Sequence, residues 1–125
     1  MSIPSYTALR TVARVGRCRE EIRSLEKDIA AYQADNLGAL PGSLADMGQG
    51  SLLDPWGNPY QYRPANSATG APYRGYFGHL LNSDYDLYSL GDGGIPSTLL
   101  ITDSTNKNNV VRANDGAYDG LASEY

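Results

Sequence analysis

The sequence predicts an α+β fold: a long N-terminal α-helix packed on a small antiparallel β-sheet with an irregular C-terminal loop region, all in one domain spanning residues 1–125. Three observations carry that expectation. Apolar residues recur at helical spacing over residues 3–35, with charged residues between them. Two short segments within residues 52–125 alternate as strands do and are bounded by proline, glycine and asparagine. A chain of 125 residues is long enough for one modest core, and nothing in it repeats.

The helix is the firmest element. Cys18, Ile22, Leu25, Ile29 and Tyr32 follow at intervals of 4, 3, 4 and 3, which places them in one narrow stripe. Arg19, Glu20, Glu21, Arg23, Glu26, Lys27 and Asp28 fill the other faces. Upstream, Ile3, Tyr6, Leu9, Val12 and Val15 continue a stripe at a spacing of three. Asn36, Gly38 and Pro41 end the helix. Its charges run the wrong way for a true start. Arg10, Arg14, Arg17 and Arg19 crowd the first half, whereas a helix dipole favours acidic residues there, and Ser2 is the sole capping side chain ahead of Pro4. The expectation is that the helix continues upstream of residue 3 and that Met1-Ser2 is not its natural beginning.

Leu40–Met47 reads as a short helical turn capped by Ser43. Asp54-Pro55-Trp56-Gly57-Asn58-Pro59 specifies a rigid turn. Tyr60–Arg63 alternates as a strand and Pro64 closes it, residues 65–72 read as a loop, and Tyr73–Leu81 reads as an irregular strand. Asp84–Leu90 is the clearest strand and ends in Gly91-Asp92-Gly93-Gly94. Asp84 and Asp86 share one face of it, expected to be the wet one because Tyr85, Leu87 and Ser89 take the other. The last 30 residues show little pattern. Val110-Val111-Arg112 is too short to assign, and Asn114-Asp115-Gly116 and Asp119-Gly120 read as turns. Such a tail is ordered by a bound ion, ordered by packing on the sheet, or loose.

Composition excludes several functions. Net charge is −4, with six basic and four acidic residues in 1–28 but four basic and ten acidic in the rest. An acidic body argues against nucleic-acid binding. The single cysteine, Cys18, rules out an intrachain disulfide, and on the apolar stripe it reads as a small core residue. No apolar run is long enough to span a bilayer and no secretory signal is present. His79 is the one histidine, which removes histidine-pair metal clusters; no phosphate-binding loop or dinucleotide fingerprint exists. The ten tyrosines suit a shallow core, with rings buried and hydroxyls near water. Asp92, Asp103, Asn106, Asn108, Asn109, Asn114 and Asp115 bring together hard oxygen donors of the kind Ca²⁺ takes, although no EF-hand spacing is present; turn formation explains the same residues. No catalytic set emerges, so the chain is not expected to be an enzyme.

Two segments resemble the major pseudopilins of type II secretion systems, within the type IV pilin-like family. Asp54-Pro55-Trp56-Gly57-Asn58-Pro59-Tyr60-Gln61-Tyr62 is similar to that family's D-P-W-G-N-P-Y-x-Y signature, and Asp86-Leu87-Tyr88-Ser89-Leu90-Gly91 to its D-x-[FY]-S-x-G strand and turn. Ile3-Pro4-Ser5-Tyr6 is similar to the I-P-x-Y segment that follows the hydrophobic stretch of such proteins, and Arg112-Ala113-Asn114-Asp115-Gly116 and Gly120–Tyr125 resemble the ends of a subgroup of them.

The resemblance implies a pilin-like fold and a structural subunit of a type II secretion pseudopilus. Such a subunit is anchored in the inner membrane of a Gram-negative bacterium, with its domain in the periplasm and its membrane segment absent from this sequence. It is processed by a prepilin peptidase and N-methylated. It self-assembles into a helical filament, with other pseudopilins and inner-membrane components as partners, that drives protein export. The resemblance further implies that Ile3, Tyr6, Leu9, Arg10, Val12 and Arg14 face neighbouring subunits, and that the six basic residues at 10–27 pair with acidic groups of the next subunit. It also implies a Ca²⁺ held near Leu90, Asp92, Asn108 and Asn109. Here the sequence departs from the pattern: no residue separates Gly91 from Asp92, and Asn108-Asn109 stands where relatives carry two aspartates, a change that weakens a Ca²⁺ site. The alternatives are a type IV pilus subunit for adhesion or surface contact, and a soluble Ca²⁺- or glycan-binding module that uses tyrosines as sugar platforms.

Overall fold

The computed structural model describes residues 6–67, 71–75, 77, 79–94 and 98–125, and the backbone alone of residues 6 and 7. Helix α1 spans Tyr6–Asp35. Strands β1 (Gln61–Pro64), β2 (Tyr85–Ser89), β3 (Val110–Ala113) and β4 (Tyr118–Leu121) form one antiparallel sheet in the order β1-β2-β3-β4. The expected α+β architecture is present, and Ile3 lies outside the described residues. The helix ends as its sequence requires. The Gly38 N–H donates to the Gln33 carbonyl at 2.7 Å and the Asn36 amide to the Tyr32 carbonyl at 2.7 Å, which satisfies carbonyls that the last turn would leave unpaired.

Four of the five stripe residues do what their spacing predicts, while Tyr32, one turn before the helix ends, is only partly buried and outside the core. Cys18 and Ile22 are 0% exposed and Leu25 and Ile29 1%, packed against Tyr60, Tyr85, Leu87 and Val110 on the inner face of the sheet. The Tyr60 hydroxyl donates to Glu21 Oε1 at 3.1 Å, so its buried ring keeps a polar partner at the rim.

The outer face departs from expectation. It carries a second apolar cluster built on Tyr73, Leu81, Tyr88, Ile101, Val111 and Ala113. All five β2 positions are therefore buried, and Asp86 is 5% exposed instead of wet. The reason is cover: the irregular segments around Tyr73–Leu81 and Leu99–Ile101 lie across that face. Asp86 binds the first of them, Oδ2 accepting from the Tyr73 N–H at 2.9 Å, and Oδ1 accepts from the Asn82 amide at 3.2 Å. Asp84 stays partly exposed.

Other elements also differ. The described residues of Tyr73–Leu81 do not form the expected strand: Leu81 N–H donates to the Tyr73 carbonyl at 2.9 Å and Gly75 N–H to the His79 carbonyl at 2.7 Å, so the segment folds back on itself, while Tyr76 and Gly78 lie outside the described residues. Ser43 precedes the 3₁₀ turn Leu44–Met47 but makes no side-chain cap. The C-terminal region is less irregular than its composition suggests, since it holds β3 and β4, and Asp119-Gly120 sits inside β4. Strand β3 is buried at all four positions, so Val110-Val111-Arg112-Ala113 has no alternation to reveal it. The expected turn at Asn114-Asp115-Gly116 joins the two, with φ of 52°, 56° and 98°, a left-handed path that these three residue types tolerate best.

Candidate assembly surface and loop junction

The two halves of α1 differ in what they touch. Below Cys18 the stripe is sealed against the sheet. Above it Leu9 is 55% and Val12 71% exposed, beside the exposed Arg10 and the partly buried Arg14. The Tyr6 side chain and all of Ile3 lie outside the described residues. A groove of about 320 Å³ runs where this half meets the C-terminal end, lined by Val12, Val15, Gly16, Leu121 and Glu124.

The basic residues of the helix do not all look outward. Arg19 Nε and Arg23 Nε each donate to Asp119 at 2.7 Å, and Arg23 Nη2 adds a contact at 3.0 Å. Arg17 lies 3.9 Å from Glu21 on its own helix. The expectation that all six basic residues serve a neighbouring subunit is therefore corrected: Arg19 and Arg23 fasten α1 to β4 of the same chain, because β4 packs beside the helix at that level. Burial alone would raise the Asp119 carboxyl; the hydrogen bonds from Arg23 and Arg19 outweigh it and hold its pKa below the ordinary value.

The segments that carry the sequence motifs meet. Asp54 is 3% exposed; its Oδ1 accepts from the Trp56 and Asn58 N–H groups at 3.0 and 2.9 Å, and its Oδ2 from Ser89 Oγ at 2.6 Å. Ser89 Oγ in turn accepts from the Gly91 N–H at 3.0 Å. One buried carboxylate thus shapes the first turn and ties it to the end of β2. Gly91, at φ 71°, lies so close to the Asn108 carbonyl that a Cβ would sit 1.9 Å from its oxygen, which ties the same turn to the segment before β3.

This junction brings Leu90, Asp92, Asn108 and Asn109 into one neighbourhood. Leu90 is half-buried, and Asp92 and Asn108 are exposed. Asn109 is 2% exposed, and its amide donates to the Tyr73 hydroxyl at 3.0 Å, so part of that side chain serves the outer core. Asp92 is the one carboxylate of the four. Among the described residues no group of three His, Cys, Asp or Glu side chains gathers to hold a metal. Such donors fit a weak Ca²⁺ site and not a tight one, because affinity follows the number of charged ligands.

One buried ion-pair centre escaped sequence reading. Arg112 is 4% exposed and makes a two-pronged pair with Asp84 at 2.8 and 2.9 Å. Its Nε lies 3.5 Å from Glu26 on α1, and its guanidinium lies 3.9 Å over the Tyr85 ring. Next to it, Asp115 accepts from the Ser83 N–H and hydroxyl, both at 2.7 Å. The available signal was an arginine inside an apolar run, since a buried arginine requires partners.

Burial pushes the Cys18 thiol up to about 11, which keeps it protonated and inert at neutral pH. His79 is exposed. No helix of the described residues is long and apolar enough to cross a membrane. The chain matches no family model, no curated protein and no solved structure.

Proposed function

We propose that the chain is a structural subunit of a helical filament, with a pilin-like fold, and that the filament is a type II secretion pseudopilus. In this reading the chain works by packing and not by catalysis. The first half of α1 joins upstream to a membrane-embedded segment, and the domain lies in the periplasm. Neighbouring copies, other pseudopilins and inner-membrane components of the secretion machine are its partners. Ca²⁺ is a weakly held adjunct at the Leu90–Asp92 turn.

The observation that carries the reading is the division of α1. Its lower half is sealed on its own sheet, while Leu9 and Val12 stay 55% and 71% exposed on a continuous helix. Exposed apolar residues on a rigid rod beside an apolar groove suit burial by another copy. The two motifs meeting at Asp54–Ser89 add support, because they serve as one structural unit.

The test expresses the natural gene, with its upstream sequence, in its own host and measures sheared surface filament. Val12→Asp and Arg10→Glu are expected to abolish the filament while the isolated domain of each variant keeps its melting temperature. Undiminished filament from both variants would overturn the proposal, as would a natural gene with no apolar segment ahead of this domain.

A further inference from the structure

Arg63 and Arg112 lie in strands of the sheet, and each has a buried Nε without a hydrogen-bond partner; they differ in their carboxylates. Arg112 on β3 has carboxylate partners in Asp84 and Glu26. Arg63 on β1 stands directly opposite Asp86 of β2, yet no carboxylate among the described residues lies within ion-pair distance of it. Asp86 acts on Arg63 through charge alone, while its two oxygens accept from the Tyr73 N–H and from the Asn82 amide. A guanidinium carries five N–H donors. Among the described residues, Arg63 spends Nη2 on the Ser67 carbonyl at 3.3 Å, while its Nε is buried with no hydrogen-bond partner. A buried donor left unmade is costly, and a charged one more so.

Arg63 lines a cleft of about 310 Å³ on the outer face, together with Gln61, Asp86, Tyr88 and Leu99. That volume falls at the small end of the range typical of small-molecule sites. Its lining mixes polar side chains (Gln61, Arg63, Ser67 and Asp86) with the Tyr88 ring and Leu99, and its one cation has a buried Nε without a hydrogen-bond partner.

We propose that this cleft binds a small organic carboxylate through Arg63. The planar fork of a guanidinium matches the two oxygens of a carboxylate, and such a pair would satisfy the Nε that the described residues leave without a hydrogen bond. One cation facing a wall that already holds the Asp86 carboxylate favours a singly charged anion over a phosphate dianion. Gln61 and the Tyr88 ring fit a polar group and a short carbon body beside the carboxylate. This site lies on the opposite face of the sheet from α1 and does not depend on filament assembly.

The test titrates acetate, lactate and inorganic phosphate, at matched ionic strength, into the isotope-labelled protein and follows its amide resonances and the Arg63 Nε signal. Lactate is expected to shift Arg63, Ser67 and Asp86 saturably, more tightly than phosphate. Arg63→Lys, which keeps the charge and loses the fork, should weaken binding about tenfold, the equivalent of one charge-assisted hydrogen bond. Arg63→Gln should abolish it. Linear, unsaturable shifts in the wild-type protein overturn the proposal whether or not the variants fold. Tighter binding of phosphate overturns the carboxylate assignment, and saturation undiminished in Arg63→Gln places the ligand elsewhere.

Discussion

The two faces of the sheet are covered by different means. On the inner face a regular helix contributes Cys18, Ile22, Leu25 and Ile29, at 0–1% exposure, to an apolar contact. On the outer face the cover is irregular chain, and its fastenings are polar. Asp86 holds the Tyr73 N–H, and Asn109 holds the Tyr73 hydroxyl. Asn106, 1% exposed, holds the Leu100 carbonyl at 2.8 Å and Thr98 Oγ1 at 2.7 Å. Asn82 holds the Arg112 carbonyl at 2.9 Å. The difference follows from backbone bookkeeping. A helix satisfies its own N–H and C=O groups and needs to bury only a stripe. An irregular segment leaves such groups open wherever it is buried, so it must come with asparagine and aspartate to close them.

The largest effect should come from breaking the apolar side. Ile22→Ala removes a fully buried side chain from the centre of the inner contact and should cost about 3 kcal/mol. In urea unfolding the midpoint should fall while the slope is kept. Val12→Ala, on the same helix but 71% exposed, should change stability by less than about 0.5 kcal/mol. Equal losses at the two positions would show that the helix is not divided into a sealed and an open half.

How much of this was legible in the sequence follows the same division. The inner cover was legible because periodicity is a property of the helix itself: the stripe from Cys18 to Ile29 could be counted before any contact was known. The turn at Asp54–Asn58 and strand β2 were also legible, from proline, glycine and alternation. The outer cover was not. Tyr73 carries no periodic signal, and its burial depends on Asp86, thirteen positions away, and on Asn109, thirty-six positions away. Asp86 itself misled, because alternation assigns a face and cannot tell whether something lies over it. The asparagines of residues 106–109 read equally well as turn formers, ion ligands or buried clasps, since one side chain chemistry serves all three. Arg112 was hidden for a related reason: its partners Glu26 and Asp84 come from α1 and from the residue just before β2.

The polar side should break more locally. Burial raises the Asp86 carboxyl above its ordinary range, against the hydrogen bonds from Tyr73 and Asn82. Asp86→Ala removes that burdened carboxylate but strands both donors, for a net loss of about 2 kcal/mol. Hydrogen exchange should register the loss unevenly. The Tyr73, Arg74 and Ile101 amides, which belong to the outer cover, should exchange faster, while the amides that join β2 to β3 keep their protection. Uniform acceleration across the domain would mean that the two covers melt as one unit and that their difference is one of chemistry alone.

A smaller effect should appear at the rim of the inner face, where that cover also uses charge. Asp119 accepts from Arg19 and Arg23, and its carboxyl is held below its ordinary pKa despite the opposing effect of burial. A carboxylate whose folded pKa is depressed adds stability that is present above its unfolded pKa, about 4, and is lost as pH falls through the lower folded value. Melting temperature followed against pH should therefore show the wild-type protein more stable than Asp119→Asn at neutrality. The gap should close as the pH falls through the lowered folded value of Asp119, where both side chains become neutral. Added salt should narrow the gap at neutral pH, since both arginines are substantially exposed. Parallel pH profiles for the two proteins would mean that the arginines rest on Asp119 without holding α1 to β4. The helix would then be kept on the sheet by its apolar stripe alone, and the contrast between an apolar inner cover and a polar outer one would be sharper still.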